Sequence, residues 1–370
     1  MVADYRYYFG TIMSPGVIAE IPLFGTYMDM ELNVGGSFNG SYQLDQTGID
    51  NEVLMGATVP GYSYVMVERN GVVIWGGYLW SRTYQSQAKS MQLFAQSFEM
   101  FPNNQLIDFN LIDEDGSPLI PPGDQLQVFV GLWEAMQLGD GRNIGVTMPT
   151  NLDSGILIGA PGTAATDFKF FGEIMAEIAN ASFGFDWYIQ NSRVGGAYIR
   201  ELILGYPTVG TDLTNTTIVL EYPGNIVNYY QVESMANAGT NIIVTGSGDG
   251  SSMIFGRATD PNKIALGWPN WDRVASHKDV ASLDYAQALA EQELVARRAP
   301  KTTIKTTMKG DILPEFGAVR LGDTANVVIK DPRNPHGLSF PGRVVKWSLN
   351  PPTKDNVETY NLIFRGDDNE

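Results

Sequence analysis

Period-two alternation near the N-terminus is the feature that most limits what this chain can fold into. Thr26, Met28, Met30, Leu32 and Val34 alternate with Tyr27, Asp29, Glu31 and Asn33, the pattern of a strand that buries one face. Wound as a helix, the same residues would scatter their apolar side chains around the whole cylinder. Gly35-Gly36 is expected to turn the chain, and Phe38, Tyr42 and Leu44 resume the alternation. Asn70-Gly71 suits a type I′ hairpin turn and separates Tyr64-Val65-Met66-Val67 from Val72-Val73-Ile74-Trp75. After Gly76-Gly77 come Tyr78 to Tyr84, a polar turn over Gln85 to Lys89, and a strand through Met91, Leu93 and Ala95. Residues 1–98 therefore read as a meander of about six strands, enough for one barrel.

The pattern changes after residue 98. Asp124 is placed to cap a helix, with Gln127 three residues on as in a capping box, and Leu126, Phe129, Trp133 and Met136 follow at helical spacing. A second helix is expected after Thr166, with Phe171, Ile174, Ile178 and Ala181 on one face and Gly184 as its stop. Strands Phe185 to Gln190 and Ala197 to Leu204 follow, joined by a turn at Arg193 to Gly196. Residues 99–218 read as an α+β insertion whose helical aromatics are core.

From 219 to 370 the chain returns to β. Strands are expected at Thr217–Tyr222, Ile226–Glu233, Asn241–Thr245, Lys301–Lys309, Ala318–Ile329, Arg343–Leu349 and Glu358–Phe364, with a helix from Leu283 to Arg298 stopped by Pro300. This is a second barrel-like region, and part of 219–260 is available to complete the first. The fold class is thus mainly β with an α+β insertion and two barrels. Forty glycines and twenty prolines in 370 residues supply the turns that such a fold needs.

Chemistry is sparse. Without cysteine there are no disulfides, thiolate metal sites or cysteine nucleophiles, and only His277 and His336 offer imidazole. No G-x-S-x-G, Walker-type loop, G-x-G-x-x-G or H-E-x-x-H occurs. Asp113-Glu114-Asp115-Gly116 looks like a fragment of a calcium loop but lacks the distal glutamate. Gly246-Ser247-Gly248-Asp249-Gly250 lacks the lysine and helix of a phosphate loop and reads as a plain loop. Arg365-Gly366-Asp367 matches an adhesion tripeptide by chance. Forty-one acidic residues make paired carboxylates uninformative without coordinates. No catalytic, cofactor-binding or metal-binding residues are assigned, and no cofactor is expected. The net charge of −17 argues against a groove that holds nucleic acid, which would gather Lys and Arg onto phosphates. No apolar run approaches the ~20 residues of a membrane-spanning helix. The start has no basic region leading into an apolar one, so no signal peptide is expected and synthesis is assigned to the cytoplasm.

One cluster breaks the acidic balance. Arg297, Arg298, Lys301, Lys305 and Lys309 lie within thirteen residues. On a strand the three lysines share one face, with Ile304 and Met308 on the other. Two readings stay open: a solvated outer face, or a patch complementary to an acidic neighbouring subunit, steering and registering assembly.

Several stretches, taken in order, resemble minor tail proteins of siphophages that infect actinobacteria. They are Val17-Ile18-Ala19-Glu20-Ile21-Pro22-Leu23, Leu32-Asn33, Gly36-Ser37-Phe38-Asn39-Gly40, and Arg69-Asn70-Gly71 followed by Val73-Ile74-Trp75-Gly76-Gly77. The similarity continues through helix Phe168–Ala181 into Gly184-Phe185-Asp186-Trp187, through Tyr206-Pro207-Thr208-Val209-Gly210, and to Leu321-Gly322-Asp323 after an alanine-rich helix. The resemblance implies a tail-tip hub similar to the baseplate hub of contractile-tailed phages. Such a hub is a homotrimer with two tail-tube-like β-barrels per chain, forming a pseudo-sixfold ring in the virion. Implied partners are the distal tail or tail tube protein, the tape-measure protein, and other minor tail or fibre proteins. DNA passes through as an unbound cargo, so an acidic or neutral lumen is expected. The resemblance brings no catalytic residues, and since the chain stops soon after Phe364, any wall-degrading activity is expected in other proteins. The alternatives are a distal tail ring protein, a receptor- or carbohydrate-binding tail protein, and a cell-wall hydrolase.

Overall fold

The computed structural model describes residues 3–45, 48–111, 116–181, 183–248, 250–277, 280 and 282–366. It is mainly β, with thirteen strands in one large sheet that is antiparallel but for one pair. The sheet is two curled rows joined edge to edge. In the N-terminal row the neighbours are, in order, Phe24–Glu31, Ser37–Gln43, Ser90–Ser97, Val72–Gln85, Ser63–Arg69, Tyr5–Thr11 and Val17–Glu20. The row curls over its own core, across which the Tyr7 hydroxyl lies 2.8 Å from Thr26 Oγ1 of the Phe24–Glu31 strand.

The N-terminal alternation is realised at Thr26, Met28, Met30 and Leu32, all buried. Val34 departs from it and is exposed. The strand ends at Glu31, and the turn needs left-handed backbone at Asn33 (φ 63°) and Gly35 (φ 97°), which leaves Val34 on the tip. Asn70 and Gly71 take φ 52° and 78°, as a type I′ turn requires. Every residue of Ser63–Arg69 is buried, because this strand is covered on both faces. Val65 and Val67 point into the row's own core, while Tyr64 and Met66 point into the insertion. That is why the segment reads as a continuous apolar run. The helix Asn51–Ala57, capped by Asp50, was not foreseen. Too short to show a helical period, it buries only Leu54 and Ala57.

In the second row the neighbours are Val219–Tyr222, Thr324–Ile329, Leu338–Asn350, Thr359–Gly366, Lys301–Lys309 and Ile226–Ser234. Its ends also approach, with the Tyr222 and Tyr229 rings 5.2 Å apart. Val219–Tyr222 and Ile226–Ser234 pair within this row rather than with the first. The strand expected from Ala318 starts only at Thr324. Asp323 accepts the Arg320 and Thr211 N–H groups at 2.8 and 2.7 Å, holding residues 318–323 as a turn.

The rows meet on the thirteen-residue strand Leu338–Asn350. Its first half pairs with Thr324–Ile329, and its second half pairs with Phe24–Glu31 through Lys346↔Glu31 to Leu349↔Met28. One apolar core runs through both rows, from Phe9, Phe38 and Trp75 to Val344, Leu349 and Phe364.

Residues 99–218 carry the second core. Helix Gln125–Gln137 is capped by Asp124, which accepts the Leu126 N–H at 2.9 Å. Gln127 does not close a capping box, because its side chain reaches the Leu152 carbonyl instead. The next helix is shorter than expected, Phe171–Ala179, since Phe168 adopts φ 51° before it. Strands Asp186–Val194 and Ala197–Gly205 form a hairpin through Gly195 and Gly196, both at positive φ. These elements pack on Tyr8, Tyr64, Met66, Tyr78 and Phe98 of the first row. Arg200 is lodged in this core, donating to the Ile12 and Ile144 carbonyls with its guanidinium 4.1 Å from the Phe98 ring. Burial pushes that guanidinium down to about 10.

Asn241–Thr245 does not join either row. It forms a separate sheet with Phe255–Thr259 and Asp272–Ser276, covered on one face by helix Leu283–Arg297. Gly256 permits this packing, as a Cβ there would lie 2.1 Å from the Ala286 carbonyl oxygen.

Candidate assembly interface

The basic cluster divides between two elements. Lys301–Lys309 is an interior strand of the second row, between Ile226–Ser234 and Thr359–Gly366. Ile304, Thr306 and Met308 are buried, while Lys305 and Lys309 are exposed and Lys301 is half-buried. Cross-strand register extends this outer face. Tyr230 lies opposite Lys305, Val232 opposite Thr303, and Arg365 opposite Thr303 on the other side. Tyr230 and Val232 are 60% and 57% exposed, an apolar centre with cations around it. The sequence reading missed both, because register between Ile226–Ser234 and Lys301–Lys309, strands far apart in the chain, is not written in either of them. Arg297 and Arg298 sit at the end of helix Leu283–Arg297. Arg297 Nε is 2.5 Å from Glu293, so much of its charge is answered within its own helix. Arg298 is exposed, and its carbonyl accepts from Lys263 Nζ.

Three buried or half-buried ion pairs hold the large elements in register. Arg69 donates twice to Glu358, at 2.9 Å each, and Tyr5 donates to the same carboxylate at 2.5 Å, fixing the first row to the last strand. Arg193 and the Tyr198 hydroxyl converge on Glu68 at 3.1 and 2.9 Å, tying the insertion to the first row. Arg343 pairs with Asp186, which also accepts the Val209 N–H, tying the insertion to the second row.

Among the described residues no group of three or more His, Cys, Asp or Glu is placed to hold a metal. No helix there is long and apolar enough to cross a membrane. Asp113, Glu114 and Asp115 of the calcium-like stretch, Asp249 of the glycine-rich loop and Asp367 of the adhesion-like triplet lie outside the described residues. His277 directly follows the strand Asp272–Ser276, and His336 lies in the turn before Leu338.

Two curled β-rows sharing one long strand, with a helical insertion packed against them, make up a fold that this chain shares with solved tail proteins. The chain is similar to the tail protein from Neisseria meningitidis MC58 (TM-score 0.63, 13% identity), the match covering 99% of this chain and 97% of that one. It is similar to the prophage MuSo2 43 kDa tail protein from Shewanella oneidensis (TM-score 0.61, 10% identity; 97% and 98% covered). A third likeness is to the prophage tail protein gp18 from Listeria monocytogenes (TM-score 0.55, 11% identity; 99% and 95% covered). At these identities the likeness is one of fold. The sequence matches no family model and no curated protein.

Proposed function

We propose that this chain is a non-enzymatic structural subunit of a bacteriophage tail, acting as the hub at the tail tip. The observation that carries the reading is the end-to-end likeness to a tail protein and two prophage tail proteins, covering 97% or more of this chain. Residues 1–98 and 219–370 are read as two tube-like barrel regions flanking the insertion 99–218, the second interrupted by the separate sheet and helix of residues 241–297. Two curled rows in one chain offer two ring positions, so a homotrimer would supply six and join a sixfold tube to threefold tip proteins. The distal tail or tube protein would sit on one side, tip or fibre proteins on the other, and the tape-measure protein inside. A siphophage of an actinobacterium remains the reading of the sequence motifs alone, whereas the relatives named above come from Neisseria, Shewanella and Listeria. A net charge of −17 suits a ring that DNA slides through, since fixed negative charge repels phosphate over a Debye length of about 8 Å.

The outer face around Lys301, Lys305, Lys309 and Arg365, centred on Tyr230 and Val232, is the proposed contact for an acidic neighbouring subunit. The test is cryo-electron microscopy of assembled tail tips, together with the triple variant K301E/K305E/K309E. A threefold ring with two barrels per chain, lost in the variant while the free chain stays folded, is the expected result. A sixfold ring would overturn the hub assignment. Full assembly of the variant would overturn the role of the basic face.

A further inference from the structure

A small cavity opens where the first row, the turn after it and the insertion meet. Its volume is about 240 Å³, and Asn33, Glu99, Asn103, Met175, Asn180 and Trp187 are among its walls. This is below the range of drug-sized ligand sites, about 300–1,000 Å³, and suits a single side chain or fragment. Glu99 is 3% exposed. Its Oε1 accepts the Ile189 N–H at 2.7 Å, while Oε2 has no hydrogen-bond partner. No lysine or arginine lines the cavity, and none of the ion pairs among the described residues involves Glu99. Asn180 donates through Nδ2 to the Ala176 carbonyl at 2.9 Å, which leaves its Oδ1 as an acceptor. Trp187 and Met175 add polarisable walls of the kind that attract cations and soft groups.

A buried carboxylate with no counter-charge is costly to keep; the wall's unpartnered groups are Glu99 Oε2 and the Trp187 Nε1–H, and the carboxylate is the one that a cation would answer. We propose that this cavity seats a primary ammonium or guanidinium group carried on a slim aliphatic stem. Glu99 would be its counter-ion and Trp187 its stacking wall. Burial pushes the Glu99 carboxyl above the usual carboxylate range, against hydrogen bonds from the Ile189 N–H, its own N–H and Ser97. An arriving cation would reverse that cost by restoring the missing counter-charge. The same chemistry has two sources, a Lys or Arg side chain of a neighbouring subunit or a free alkylamine.

The test is isothermal titration of the full chain with n-butylammonium, n-butylguanidinium and the blocked peptide acetyl-Ala-Arg-Ala-amide, with n-butanol as the neutral control. The variants are Glu99→Gln, which keeps an acceptor for Ile189, and Ala176→Phe, which fills the mouth and leaves Glu99 in place. Binding of a cationic probe that weakens at least tenfold in both variants, with no binding of n-butanol, is expected. Uptake of the peptide with that loss assigns the site to a partner's side chain, and uptake of the free amines alone assigns it to a small molecule. No heat with any cationic probe, or equal affinity in either variant with both folded by circular dichroism, would overturn the proposal.

Discussion

Replacing Arg69 by methionine should be far more damaging than its place on a β-strand suggests. The guanidinium and the Glu358 carboxylate have side chains only 8% and 5% exposed, and they share two hydrogen bonds of 2.9 Å. With charge centres about 4 Å apart and an effective dielectric constant of about 20, their attraction is about 4 kcal/mol. Arg69→Met leaves Glu358 buried with only the Tyr5 hydroxyl, so the expected loss is about 3–5 kcal/mol, the usual cost of stranding one member of a buried pair. Glu358→Gln should cost less, because Arg69 retains Glu315 at 3.9 Å on its open side. Removing the whole group in R69M/E358L/Y5F should restore most of the stability, since a well-packed apolar replacement of a buried pair is often neutral or better. Urea unfolding of the four proteins, compared at matched m-values, measures the differences. Arg69→Met within about 1 kcal/mol of the parent would refute the assignment of this pair as a buried, mutually dependent unit. So would a triple variant no more stable than the single one.

Two other changes probe local structure. Asp124→Ala removes an N-cap that accepts the Leu126 N–H and also holds Ser154 through two contacts of 2.7 Å, and should cost about 1–2 kcal/mol by denaturant titration. Burial works to raise the Asp124 carboxyl, but the Ser154 hydroxyl and backbone N–H groups outweigh it and hold the carboxyl below its ordinary 3.8. Its contribution is therefore present above that value and lost as pH falls through the lowered folded one, and the variant should show a flatter acid limb. Gly256→Ala forces a Cβ against the Ala286 carbonyl oxygen and should loosen helix Leu283–Arg297 by about 1–3 kcal/mol. Hydrogen exchange should report the change in Asn241–Thr245 and that helix while Ser63–Arg69 stays protected; uniform protection throughout would count against it.

Local pattern determined much of this protein by itself. Alternation placed Met28 and Met30 inward, Asn70-Gly71 made its hairpin, and Asp124 began its helix, because each depends on neighbours within a few residues. Lys301–Lys309 was legible down to which residues face out, for the same reason. Only the tertiary structure decided which strands lie side by side. Nothing local to Phe24–Glu31 or Leu338–Asn350 says that they pair across more than 300 residues and fuse two rows into one core. Hydrogen bonding along a strand edge is the same for every partner, so choice of partner rests on the packing of the whole. The same holds for Glu99, an ordinary acid in the sequence, which becomes a buried carboxyl with no counter-charge, pushed above its ordinary range, only because the insertion closes over it. It holds also for Tyr230 and Val232, which reached the basic face only through register.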